Sequence, residues 1–143
     1  HTEDHIAIWI PELRLVLAGD AVEYPFPSVE EAETLPILRR SLERLAALNA
    51  AMVIPCHGGT TEAALITRNL AYFDEIERHA RSALASGLVS PDWRERADSD
   101  EMIGLPYATA LQYVGANPAA TADLYRSFHL AAVRATLTNL QKS

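Results

Sequence analysis

A five-leucine stripe set between two short apolar runs is the feature that most constrains this 143-residue chain. Leu35, Leu38, Leu42, Leu45 and Leu48 recur at spacings of three and four, the signature of one buried helical face. On either side lie Leu13–Ala18 and Ala50–Ile54, too short for helices and bounded by turn residues, which read as strands. Ile6–Ile10 is a further apolar run, separated from Leu13 by Pro11-Glu12, and the two predict an antiparallel hairpin with a tight turn. Strand, strand, helix, strand is an α/β order.

Each run has residues with metal-binding chemistry at one of its ends. His1-Thr-Glu-Asp4-His5 precedes the first, Gly19-Asp20 ends the second, and Pro55-Cys56-His57-Gly58 ends the third. Imidazole nitrogen and carboxylate oxygen suit a borderline ion such as zinc, and a carboxylate can bridge two ions with its two oxygens. Glycine before Asp20 permits a sharp change of direction at the strand end, and Pro55 terminates the third strand just before its histidine.

The strings His1-Thr-x-x-His5, Gly19-Asp20 and Pro55-x-His57-Gly58, in that order, resemble the last three metal-binding motifs of the metallo-β-lactamase-fold hydrolases. The resemblance covers about residues 1 to 85. It implies an αββα sandwich, of which this chain would supply the second half. It also implies His1 as ligand of one metal, His57 as ligand of a second, and Asp20 as the bridge and catalytic residue. His1 is preferred to His5 because its spacing to Asp20 fits the pattern better; Asp4 and His5 are alternative ligands or hold a ligand imidazole by hydrogen bond. Two divalent ions are expected, zinc first, with iron or manganese as alternatives.

The family's upstream His-x-His-x-Asp-His string occurs nowhere in the chain. The expectation is therefore a carboxy-terminal portion of a longer protein, whose amino-terminal half supplies the remaining ligands and which is inactive without it. Glu3-Asp4 stands where the family has a small residue and glycine, and Cys56 replaces a glycine. Cys56 reads as a small buried thiol, with a role as a soft extra ligand as the less favoured alternative.

By resemblance, Asp20 argues against an antibiotic-hydrolysing role and for a thioesterase, a lactonase or a phosphodiesterase. Nineteen acidic against twelve basic residues give a net charge of −7, which disfavours nucleic-acid and anionic-membrane partners. The expected activity is therefore hydrolysis of a thioester, lactone or other carboxylic ester, with a phosphodiesterase or a non-catalytic interaction domain as alternatives. One cysteine forms no internal disulfide and no run approaches a membrane span, so a cytoplasmic setting is expected.

Further along, Tyr24-Pro-Phe-Pro27 predicts a stiff loop, and Ser28, Glu30 and Glu31 the start of the leucine helix. Thr60 or Thr61 would cap a long helix ending at Gly87. Residues 88–100 read as a surface connection anchored by Trp93, followed by helices over about 100–114 and 118–141. The organisation expected is a half-domain over 1–87 and a helical extension over 88–143 packing on it. His79 and His129 read as structural, and the apolar faces of the last helices as packing surfaces, with a lid or a homodimer contact as alternatives.

Overall fold

The computed structural model describes residues 6–117 and 123–142 and shows a mixed α/β fold. Strands β1 (Ile8–Ile10), β2 (Leu15–Gly19) and β3 (Met52–Pro55) form a three-stranded sheet in that spatial order. β1 and β2 are antiparallel, with Ile8 opposite Leu17 and Ile10 opposite Leu15. β2 and β3 are parallel, with Leu15 opposite Met52, Leu17 opposite Ile54, and Gly19 opposite Pro55 after a register irregularity. The hairpin connection is wider than the two-residue turn expected. Pro11 carries no N–H for the ladder, and Pro11–Leu13 instead wind one 3₁₀ turn closed by Arg14 N–H on the Pro11 carbonyl at 3.1 Å. Leu13 is thereby removed from the strand and left 65% exposed.

The parallel pair is connected through helix α1 (Thr34–Ala47), which buries Leu35, Leu38, Leu42 and Leu45 as their spacing requires. Leu48 lies just past the helix end and is part-exposed. The helix begins later than Ser28–Glu31 because of Pro36. Starting at Thr34 keeps that proline in the first turn, where no backbone N–H has an intrahelical partner; an earlier start would drive its ring into the helix interior.

Helix α2 (Ala64–Ala85) follows β3. Thr60 and Thr61 do not cap it directly: Thr61 gives its carbonyl to Val53 N–H at 3.1 Å, so these residues extend the sheet edge and the helix starts only after Ala63. The segment expected as one helix over about 100–114 is two, α3 (Ser99–Met102) and α4 (Tyr107–Tyr113): Gly104, at φ 74°, closes the first as its N–H and that of Leu105 return to the Glu101 and Asp100 carbonyls, and Pro106 precedes the second. Helix α5 (Leu124–Lys142) is the last; the expected start of that helix at 118 lies outside the described residues. Among the described residues, no helix is long and apolar enough to cross a membrane.

Val16, Ala18 and Val53 point from one sheet face into the helices and are fully buried. Loop 21–29 enters the same core: Phe26 stacks on Tyr72 of α2 at 4.1 Å between centroids, with Tyr107 of α4 and Tyr125 of α5 edge-on to it. Residues 88–98 are largely exposed but anchored by buried Trp93, as expected. Ser99 and Asp100, read as part of a surface connection, are fully buried instead. Ser99 Oγ donates to the Trp93 carbonyl, and Asp100 Oδ2 accepts the Tyr107 N–H at the start of α4. His129 is structural, its ring nitrogens 2.9 Å from the Tyr72 hydroxyl and the Leu105 carbonyl, and half-buried His79 contacts the Ile103 carbonyl.

Candidate metal centre

The carboxyl ends of parallel neighbours are where a sheet of this kind presents ligand-binding loops. β2 and β3 end side by side at Gly19 and Pro55, so Asp20, Cys56 and His57 leave the sheet at one place. Backbone hydrogen bonds fix the two loops against each other. Cys56 N–H donates to the Gly19 carbonyl at 3.1 Å, and Tyr24 N–H reaches the His57 carbonyl at 3.4 Å. Two glycines make the turns: Gly19 at φ 54° and Gly58 at φ 102°. Gly58 also lies so close to Tyr24 that an added Cβ would sit 2.5 Å from the Tyr24 Cβ.

Asp20 and His57 come together. Asp20 Oδ1 lies 3.5 Å from His57 Nε2, and the side chains are 36% and 62% exposed. That oxygen is shielded from solvent yet has no hydrogen-bond partner among the described residues, a costly arrangement for a carboxylate. The Cys56 sulfur joins them: one ligand atom from each of Asp20, Cys56 and His57 lies within 4.8 Å of the others. In a tetrahedral zinc site with bonds of about 2.0–2.3 Å, neighbouring ligand atoms are about 3.3–3.6 Å apart, which the Asp20–His57 separation matches. The donor set of carboxylate, imidazole and thiol fits a borderline divalent ion.

Cys56 corrects the reading of a buried thiol: it is exposed. The Asp20 carboxylate beside it accepts from the thiol and repels the thiolate, which pushes Cys56 above its ordinary value, with burial a smaller cause in the same direction. His1, Asp4 and His5 lie outside the described residues. Of the three ligands expected, Asp20 and His57 are therefore placed together.

Asn69 is a residue that motif reasoning passes over. From α2, its amide nitrogen donates to the Glu23 and Pro25 carbonyls at 3.0 and 2.9 Å, and its oxygen accepts the Glu23 N–H at 3.2 Å. It clamps the loop that follows Asp20. A signal for it exists in the sequence, because Asn69 interrupts the otherwise apolar face of Leu65, Ile66, Tyr72, Phe73 and Ile76.

No protein-family model matches this chain. No curated protein matches it either.

Proposed function

We propose that this chain is the second half of a metallo-β-lactamase-fold hydrolase acting on a thioester, lactone or other carboxylic ester. The observation that carries the reading is the meeting of Asp20 and His57 at 3.5 Å, at the adjoining ends of β2 and β3. Asp20 and His57 would hold metal, with His1 as a further ligand by resemblance and the remaining ligands from an amino-terminal half. Bound divalent ions, zinc first, supply hydroxide from water at neutral pH and polarise a carbonyl. The protein needs no covalent nucleophile for such a reaction. Asp20 would anchor the centre, while the ladder between β2 and β3 keeps His57 in position. Net acidity, at −7, favours a neutral acyl substrate over a polyanion.

The sheet supports the sandwich that this reading requires. Side chains alternate along strands, and the face opposite Val16 and Val53 carries Ile8, Leu17 and Ile54 in one row and Ile10, Leu15 and Met52 in the next. Ile8, Met52 and Ile54 are exposed. A sheet with a parallel pair and two aliphatic faces is built to be covered on both sides, and a second sheet packed at about 10 Å is the natural cover. One unpaired cysteine accords with a reducing, cytoplasmic setting.

The test measures bound metal and turnover on thioester, lactone and phosphodiester substrates in the protein that carries this chain. At least one ion per chain is expected, with ester turnover falling by about a hundredfold or more in Asp20→Ala. Metal-free protein, or turnover indifferent to Asp20→Ala, overturns the reading.

A further inference from the structure

Cys56 and His57 are consecutive, and consecutive strand residues point to opposite faces. Here β3 ends at Pro55, and the chain turns through Gly58, so both side chains escape the alternation. Their ligand atoms converge with that of Asp20 within 4.8 Å. The thiol is exposed and free of any disulfide, and its backbone is tied to Gly19, next to Asp20. Asp20 Oδ1, 3.5 Å from His57 Nε2, is shielded from solvent and has no hydrogen-bond partner among the described residues, a sign that a positive group belongs at this point.

We propose that the Cys56 sulfur is itself a metal ligand, so that Asp20, Cys56 and His57 together hold one thiophilic divalent ion, zinc in preference to iron or manganese. This rests on the reading of Asp20 and His57 as metal ligands. Zinc with one thiolate, one imidazole and one carboxylate places its ligand atoms about 3.3–3.6 Å apart. Rotation of partly exposed side chains closes the remaining distance while the hydrogen-bonded backbones stay fixed. Three protein ligands leave one tetrahedral position open, the arrangement of a reactive zinc site rather than a closed structural one. Thiolate selects zinc and cobalt; a carboxylate and an imidazole alone would serve manganese or iron as well. Cys56 thereby decides which metal the site keeps.

Cobalt(II) titration of this 143-residue chain, with the thiol reduced, tests the assignment. The wild type is expected to bind one cobalt ion with a near-ultraviolet sulfur-to-cobalt charge-transfer band, and zinc should displace it while manganese does not. In Cys56→Ala and Cys56→Ser the band should disappear and metal affinity should fall at least about tenfold. Circular dichroism should show both variants folded, since the side chain is exposed. Cobalt bound without a sulfur band, and lost in Asp20→Ala, overturns the Cys56 assignment while leaving Asp20 and His57 as ligands. A chain that retains no cobalt also overturns it. Neither result bears on ester turnover in the Asp20→Ala protein, which judges the hydrolase reading separately.

Discussion

Gly58 shows how one residue's backbone positions the chemistry of its neighbours. Its φ of 102° lies where an L side chain is strained, and a methyl group there would meet the Tyr24 Cβ at 2.5 Å and the Tyr24 carbonyl at 3.1 Å. Both are close to the backbone, so no flexible side chain can swing away. Gly58→Ala is expected to cost about 2–4 kcal/mol and to weaken metal binding by displacing His57. Gly59, with nothing within 4 Å of its added Cβ, is the internal control, and Gly59→Ala should stay within about 1 kcal/mol of wild type. Urea midpoints and cobalt titration of the two variants check both expectations. The glycine itself is plain in Pro55-Cys56-His57-Gly58, but the reason it is required is Tyr24, more than thirty positions upstream.

At the scale of elements, His129 joins two helices to the segment between α3 and α4. It sits on α5, contacts the Tyr72 hydroxyl of α2 and accepts or donates through its two ring nitrogens; with Nε2–H donating to the Leu105 carbonyl before α4, Nδ1 accepts from Tyr72. That pattern requires a neutral ring. Burial lowers the His129 pKa from its ordinary 6.5, outweighing the Leu105 hydrogen bond and the attraction of Asp100, while Arg126 acts with burial. The folded state thus holds this proton less tightly than the unfolded chain, so unfolding takes up a proton in mild acid. The His129 contribution to stability is complete above pH 6.5 and is lost as the pH falls below that value toward the depressed one. Urea midpoints taken from about pH 8 to pH 5 should decline accordingly in wild type. His129→Leu should flatten that decline and cost about 2–4 kcal/mol at neutral pH, because the Leu105 carbonyl and the Tyr72 hydroxyl lose their partner.

Across the whole molecule, the candidate site stands on a core to which both ends of the chain contribute. Phe26, six positions after Asp20, is enclosed by Tyr72, Tyr107, Tyr125 and His129. Buried Trp93, Leu105, Leu111, Val133 and Leu137 complete the same cluster. A chain truncated after Gly87 would expose the Phe26–Tyr72 stack and the inner face of α2. It is expected to lose its cooperative thermal transition by circular dichroism and to bind a hydrophobic dye, whereas the 143-residue chain is expected to melt in one step. The periods of the apolar residues by themselves determined the strands and the leucine helix and placed Asp20 and His57 at strand ends, while the parallel pairing of β2 with β3 is what brings those two ends together. Pro36 and Pro106 also carried their helix boundaries in plain view, through a missing N–H that only certain helical positions tolerate. What tertiary structure alone decided was the exposure of Cys56 and its convergence on Asp20, the burial of Ser99 and Asp100, and the Asn69 clamp. Those depend on which way loops turn against distant surfaces, and the free energy that selects the direction comes from contacts between residues far apart in the chain.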